Sequence, residues 1–218
     1  MLDWHTIETV LLDMDGTLLD LHFDNFFWNT HLPKRLAQLK DQDPSHIQQQ
    51  MRQRFHDEYG SLNWYSTQYW AEQLQVDIVK LKHEVTDKIA LRNSVIEFLQ
   101  ALQQSDKRVI LVTNAHQESL DINMNIIDLR PYFDQIVISH DLEHPKEAQL
   151  FWHRFQESTP FNPNTSLLID DNENVLSAAK QYGVKYLLAP KQPDSTQASR
   201  ETLKHPSFHD YSELLPVL

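Results

Sequence analysis

Two aspartates stand two residues apart, directly after a short apolar run. Residues 10–12 predict a buried strand, Asp13 and Asp15 follow its end, and Gly16 and Thr17 continue as a turn. Open α/β folds bind their ligands at the carboxyl ends of strands, so two carboxylates here could act on a substrate. The alternative is an ordinary Asp-rich turn. We favour a reactive site because D-x-D-G-T rarely arises by chance in a chain of this length.

Further polar residues follow other predicted strands. Thr113 and Asn114 follow the strand at 108–112, Lys146 opens the helix after the third strand, and Asp170 and Asp171 follow the strand at 166–169. Since the ends of parallel strands share one edge of a sheet, we expect all of these side chains to meet. Clustered carboxylates repel one another without a cation, and hard oxygen ligands favour Mg²⁺. Taken singly, Lys146 could be a surface lysine, and Asp170 and Asp171 could cap the next helix.

The composition limits the partners. The 218 residues include 31 acidic and 19 basic residues, and the net charge of −12 argues against a nucleic-acid polymer or an anionic membrane surface as partner. The chain has no cysteine, which excludes disulfides and thiolate metal sites. We find no signal peptide and no apolar run of about 18 residues, so we expect a cytoplasmic protein that acts on a small molecule. No pattern indicates an oligomeric state.

Residues 20–90 differ in character from the rest of the chain. They are rich in Gln, His and aromatic residues, and their apolar residues recur at helical spacing, which predicts an insertion of several helices. We expect these helices over 23–39, 44–59, 64–74 and 79–89. Pro33 suits a helix break or a first turn, and Gly60 suits the end of the second helix.

From residue 91 onward the predicted elements alternate between helix and strand. Helices are expected over 94–104, 117–129, 146–157 and 175–182, and strands over 108–112, 136–139, 166–169 and 185–188. The tail from residue 190 is expected to form a loop and one short helix. This alternation predicts a Rossmann-like α/β core with a parallel sheet covered on both faces, built from residues 1–19 and 91–218, with the helical insertion at 20–90.

The four motifs resemble a known family in their order and spacing. DMDGT, Thr113 after VILV, Lys146 and LLIDD resemble the signature motifs of the haloacid dehalogenase-like superfamily of phosphohydrolases, and the insertion looks like its small helical C1 cap. The segments MRQRF, LNWY and YWAEQL are similar to the caps of bacterial GMP/IMP 5′-nucleotidases. The resemblance implies the same α/β fold and a phosphatase activity.

The resemblance also implies a role for each motif residue. Asp13 would be the nucleophile that forms an aspartyl-phosphate, and Asp15 the general acid and then the general base. The phosphoryl group would be bound by Thr113, Lys146 and the backbone around Met14, Gly16, Thr17 and Asn114. Mg²⁺ would be held by Asp13, the carbonyl of Asp15, Asp170 and Asp171. Many members carry a further Asp four residues beyond the metal-binding Asp, where this chain has Asn174 and Val175, so the direct ligand, Asp170 or Asp171, stays open.

The substrate is the least determined part of this hypothesis. Asp15 favours phosphate esters over haloacids, because an alkoxide leaving group needs a proton. We expect a purine nucleoside 5′-monophosphate held in the insertion, and the candidate contacts are Arg52, Phe26, Phe27, Trp64 and Tyr65. The alternatives are that these aromatic residues are core and that the substrate is a sugar phosphate, with the chain as a phosphatase or a phosphosugar mutase. A phosphonatase would need a lysine of the insertion that can form a Schiff base, and no feature marks one among Lys34, Lys40, Lys80, Lys82 and Lys88. A non-catalytic binding protein is a further alternative.

Overall fold

A parallel β-sheet forms the centre of the molecule. In the computed structural model, which describes residues 2–217, six strands lie in the order β3-β2-β1-β4-β5-β6, and every neighbouring pair is parallel. The strands are β1 (Thr9–Leu12), β2 (Arg108–Thr113), β3 (Gln135–Ile138), β4 (Ser166–Ile169), β5 (Tyr186–Pro190) and β6 (Ser207–Phe208). The predicted parallel α/β fold is confirmed. The two-residue β6 was not predicted, since it is too short to show a pattern.

The first strand lies between the two strands that carry the other acidic and polar motifs. Leu12 pairs with Leu111 of β2 on one side and with Ile169 of β4 on the other. The residues that follow these three positions therefore meet at one edge of the sheet. The residues of β1 are all buried, which is typical of a parallel strand covered on both faces.

Helices cover both faces of the sheet. The α-helices are α1 (His22–Phe26), α2 (Leu32–Lys40), α3 (Pro44–Glu58), α4 (Leu62–Tyr65), α5 (Thr67–Leu74), α6 (Ile78–His83), α7 (Val95–Gln103), α8 (Gln117–Ile126), α9 (Gln149–Ser158) and α10 (Glu173–Tyr182). Val10 packs in the same cluster as residues of α7 and α8, whereas Leu11 packs with α9 and α10. Successive strand residues thus supply two separate layers of core. No helix within residues 2–217 is long and apolar enough to cross a membrane.

The helices between residues 22 and 83 differ in detail from the prediction. A π-helical turn, Phe27–His31, joins α1 to α2, and Pro33 lies in the first turn of α2, where its missing N–H is tolerated. The single helix predicted over 64–74 is wrong. Ser66 is extended and its Oγ accepts a hydrogen bond from the N–H of Tyr69 (3.1 Å), so it separates α4 from α5. The helix predicted over 79–89 ends at His83, and a 3₁₀ turn follows.

Three predicted helix boundaries after the insertion also change. Lys146 does not open a helix but precedes α9 by three residues, because its N–H donates to Oδ1 of Asn114 (2.9 Å) and its carbonyl accepts from Nε1 of Trp152 (2.8 Å). The helix predicted over 117–129 ends at Ile126. Asn172, rather than the two aspartates before it, caps α10.

Candidate active site

A buried lysine links the ends of β1 and β4. Nζ of Lys146 lies 2.6 Å from Oδ1 of Asp13 and 2.7 Å from Oδ2 of Asp170, and it also donates to the carbonyl of Val112 (3.0 Å). Lys146 is 2% exposed and Asp170 is 1% exposed. Burial alone would lower the pKa of Lys146, but the two carboxylates raise it above its usual value, so the ammonium stays charged.

The turn after β1 holds the second oxygen of Asp13. Oγ1 of Thr17 donates to Oδ2 of Asp13 (2.9 Å) and accepts from the N–H of Asp171 (3.1 Å). Gly16 permits this turn with a φ of +83°, and a Cβ at this position would lie 2.9 Å from the carboxyl carbon of Asp171. The motifs at the ends of β1 and β4 are therefore in direct contact.

Three carboxylates at this edge fit a divalent cation. Asp13, Asp170 and Asp171 each contribute one carboxylate oxygen, and these three oxygens lie within 4.8 Å of one another. Burial, followed by the charge of Asp13, raises the pKa of Asp171 to about 7, and burial raises the pKa of Asp170 well above its usual value. A cation among them would relieve this repulsion, and an all-oxygen ligand set suits Mg²⁺. The side chain of Asp15 is not part of this cluster.

Asp15 stands apart from the cation cluster and faces a cavity. Its Oδ1 accepts a hydrogen bond from Nδ2 of Asn123 (2.9 Å), a residue of α8 that sequence analysis missed. Burial, then the charges of Asp24 and Asp13, raise the pKa of Asp15 well above its usual value. The protonated form is thereby favoured, which a general acid requires.

The end of β2 completes this edge. Thr113 lines the cavity, and its Oγ1 accepts from the N–H of Ala115 (2.9 Å). Nδ2 of Asn114 donates to Oε2 of Glu147 (2.9 Å). Glu147 had no predicted role. The structure thus brings together all the predicted residues at the strand ends, although three different strands and a loop carry them.

A cavity of about 520 Å³ lies between the strand ends and the helical insertion. Of the five predicted substrate contacts, Trp64 and Tyr65 line it, while Arg52, Phe26 and Phe27 do not. Phe27 is fully buried in the core, the ring of Phe26 lies 4.5 Å from Nζ of Lys88, and Arg52 is exposed on α3. The aromatic residues that line the cavity and were not predicted are Trp28, Phe55, Tyr59 and Trp70. Apolar spacing identified the inner face of α3 but not that this face borders a cavity.

A second buried lysine reaches this cavity from the insertion. Lys82 of α6 is 2% exposed, and its Nζ donates to Oδ1 of Asp24 (2.8 Å) and to Oγ of Ser119 on α8 (3.1 Å). Its Nζ also lies 5.1 Å from the ring centroid of Phe23 and 5.5 Å from that of Phe27. Sequence analysis left Lys82 as one lysine among several, since its partners are distant in the chain.

Comparison with known proteins places this arrangement in a family. The family model described as haloacid dehalogenase-like hydrolase matches residues 10–189. The chain belongs to this family. It is 41% identical over 215 residues to the GMP/IMP nucleotidase YrfG of Escherichia coli K12, covering 99% of this chain and 97% of that protein. It is also 25% identical over 222 residues to the pyrophosphatase PpaX of Bacillus cereus strain Q1, covering 97% of this chain and 96% of that protein.

Solved structures of this family share the fold. A HAD phosphatase from Thermococcus onnurineus superposes with a TM-score of 0.77 at 16% identity, covering 95% of this chain and 96% of that one. The HAD-hydrolase YfnB from Bacillus subtilis, solved with bound magnesium, superposes with a TM-score of 0.62 at 18% identity over 95% and 96% of the two chains. The chain is therefore an enzyme of the haloacid dehalogenase-like hydrolase family, and its fold is that of these solved structures.

Proposed function

We propose that this enzyme is a Mg²⁺-dependent phosphomonoesterase that hydrolyses purine nucleoside 5′-monophosphates through an aspartyl-phosphate. The observation that carries the proposal is the position of Asp13 and Asp15, which lie at the end of one strand and line one cavity. Lys146 is hydrogen-bonded to Asp13, whereas the uncharged amide of Asn123 is hydrogen-bonded to Asp15. The 41% identity to a GMP/IMP nucleotidase over nearly the full chain supports the substrate class.

The two aspartates divide the chemistry. Asp13 attacks phosphorus with one carboxylate oxygen, while Asp15 gives its proton to the leaving oxygen as the P–O bond breaks. Asp15 then takes a proton from the water that hydrolyses the aspartyl-phosphate. Asp13, the carbonyl of Asp15, Asp170 and Asp171 would hold Mg²⁺, which would supply positive charge to stabilise the transferring phosphoryl group. Lys146 supplies a second positive charge at Asp13.

The size of the cavity is compatible with a nucleotide, and its aromatic lining favours one. Its volume of about 520 Å³ lies within the ~300–1,000 Å³ that is typical of small-molecule sites. Trp28, Phe55 and Trp64 offer aromatic faces to a purine ring, and Asn25 and Asn29 offer amides to its polar edge or to a ribose. We propose that these residues of the 20–90 insertion, acting as a cap over the strand ends, select the substrate. Trp64 and Tyr65 keep their predicted role in this proposal.

A phosphate-release screen tests the proposal. The purified enzyme is given nucleoside monophosphates and sugar phosphates, with Mg²⁺ and with EDTA. We expect the highest kcat/KM with GMP and IMP and no turnover in EDTA. Release from sugar phosphates but not from nucleotides would contradict the substrate class, and full activity in EDTA would contradict the role of Mg²⁺.

An isosteric variant tests the nucleophile. Asp13→Asn keeps the shape of the side chain but removes the attacking carboxylate, so we expect kcat to fall at least about 10³-fold while thermal stability is retained. Glu143→Gln, an exposed residue of a surface loop, is the matched control and keeps wild-type kcat. Retained activity in Asp13→Asn would exclude Asp13 as the nucleophile.

A further inference from the structure

Asn123 is a buried amide that lies outside the motifs at the strand ends. It lies on α8, is 1% exposed, and donates through Nδ2 to Oδ1 of Asp15 at 2.9 Å. α8 follows β2, which ends in Thr113. A residue of this helix therefore contacts Asp15, which follows β1. Within residues 2–217 this is the one hydrogen bond that the side chain of Asp15 receives.

The oxygen of this amide has no hydrogen-bond partner within residues 2–217. Oδ1 of Asn123 is buried and makes no hydrogen bond within the described residues, including those of the neighbouring helices. A buried polar group without a partner destabilises the fold, and an apolar side chain of the same size would avoid that cost. The oxygen of Asn123 therefore gives no reason for an asparagine at this position. The nitrogen does, because the buried carboxyl oxygen of Asp15 needs a donor and Nδ2 supplies it.

We propose that Asn123 is a positioning residue for Asp15, which fixes Oδ1 by its amide and leaves Oδ2 as the oxygen that exchanges a proton with the substrate. This inference rests on the proposed phosphatase function. The carbonyl oxygen of a protonated carboxyl group is its better acceptor, so the bond from Nδ2 favours Oδ1 as the carbonyl oxygen and Oδ2 as the oxygen that carries the proton. Asp15 lines the cavity, and with Oδ1 held by Asn123 we assign Oδ2 to the contact with the substrate.

In the first half of the reaction, the electron pair of the breaking bond and the proton of Asp15 both go to the leaving oxygen. As an oxygen of Asp13 forms a bond to phosphorus, the bond between phosphorus and the leaving oxygen breaks and its electron pair stays on that oxygen. The proton on Oδ2 of Asp15 moves to the same oxygen, so the alcohol leaves neutral and Asp15 becomes a carboxylate. Without Asn123 the carboxyl group can rotate, and its proton is aimed at the leaving oxygen for only part of the time.

This role predicts a defect that depends on the leaving group. An alkoxide needs the proton, whereas a thiolate leaves without one. The two substrates are the best monoester found in the phosphate-release screen and its analogue with sulfur in the bridging position. Release of the alcohol or thiol is measured in single turnovers, so that the later hydrolysis of the aspartyl-phosphate, which both substrates share, does not mask the effect.

Asn123→Leu is the main variant, and Asn123→Ala is a second one in case leucine disturbs the packing. The control is Asn125→Ala, since Asn125 lies on the same helix but is exposed. For Asn123→Leu we expect a rate about 10²-fold lower with the oxygen substrate and less than about threefold lower with the sulfur analogue. KM and the melting temperature should stay close to wild type, and Asn125→Ala should match wild type with both substrates.

Two results would overturn the inference. One is an equal loss with both substrates, which would indicate general disruption of the site, and the other is no loss with either substrate in both Asn123 variants. Failure of the proposed function gives a different result, because the wild-type enzyme would then release nothing from any phosphate monoester in the screen.

Discussion

At the level of single residues, the turn after Asp15 leaves no room for a side chain at Gly16. Its φ of +83° is strained for any residue with a Cβ, and that Cβ would lie 2.9 Å from the carboxyl carbon of Asp171. The two effects can be separated, because Gly60 has a similar φ of +80° with nothing within 4 Å of a Cβ.

Alanine at these two glycines should therefore give different defects. We expect Gly16→Ala and Gly60→Ala each to lower the free energy of unfolding by roughly 1–2 kcal/mol, since the backbone strain is alike. Only Gly16→Ala should weaken Mg²⁺-dependent activity, because only this change displaces Asp171. Urea unfolding and the Mg²⁺ dependence of kcat measure the two effects. Wild-type Mg²⁺ dependence in Gly16→Ala would show that Asp171 tolerates displacement.

At the level of elements, a short helix of the insertion is tied to the loop that carries Lys146. The hydroxyl of Tyr65, at the end of α4, donates to Oε1 of Glu147 at 2.6 Å. Glu147 also accepts from Nδ2 of Asn172 (3.1 Å) and from Nδ2 of Asn114 (2.9 Å). One carboxylate therefore joins the insertion to the loops after β2 and β4.

Removing the hydroxyl of Tyr65 should alter catalysis more than stability. Tyr69 provides the control, since its hydroxyl makes the same kind of bond at 2.6 Å, but to Glu58 within the insertion. We expect Tyr65→Phe and Tyr69→Phe each to lower the free energy of unfolding by about 1 kcal/mol. We expect only Tyr65→Phe to raise KM, because it loosens the insertion over the substrate. Equal kcat/KM in both variants would contradict a role for this contact in closure.

The insertion also shows what pattern analysis could and could not predict. The spacing of Ile47, Met51 and Phe55 correctly predicted α3 and its inner face. It could not show that Phe55 reaches a cavity while Arg52 faces outward, since that depends on α1, α4 and α5 packing nearby. The pattern also could not predict the helix boundary at Ser66, because the apolar spacing continues across the hydrogen bond with which Ser66 caps α5.

At the level of the whole molecule, the carboxylates at the sheet edge make stability depend on pH and on metal. The pKa of Asp171 is raised to about 7 by burial and by Asp13, so the folded protein holds this proton more tightly than the unfolded chain. A raised pKa of an acid favours the folded state at low pH, and this advantage is lost as pH rises from about 4 towards about 7.

Comparing the melting temperatures of the wild type and Asp171→Asn isolates the contribution of the Asp171 carboxyl group to the pH dependence of stability. In EDTA we expect the two proteins to have similar melting temperatures near pH 4, and the wild type to fall progressively below the variant as the pH rises from about 4 to about 7, with no further divergence above that. Mg²⁺ should raise the melting temperature of the wild type more than that of the variant, since the ion offsets the repulsion. Differential scanning fluorimetry across this range measures both trends, and parallel curves in EDTA would contradict the raised pKa.

The fold and the strand-end residues could be predicted from sequence because their signals are local. Each strand is an apolar run that ends in its polar residues, and the rules of parallel sheets bring those ends together. Asn123, Lys82 and Glu147 carried no such signal. Each contacts its partner across a large separation in sequence, as Asn123 does with Asp15 over 108 positions.

Segments near residues 4 and 211–214 meet behind the turn that follows Asp15. Nε1 of Trp4 donates to the carbonyl of Leu214 (2.9 Å), and the buried hydroxyl of Tyr211 donates to the carbonyl of Thr17 (3.2 Å). During synthesis the residues around Asp13 therefore emerge well before Tyr211, which lies 194 positions after Thr17. The proposed nucleophile is thus made long before the contact that supports its loop can form.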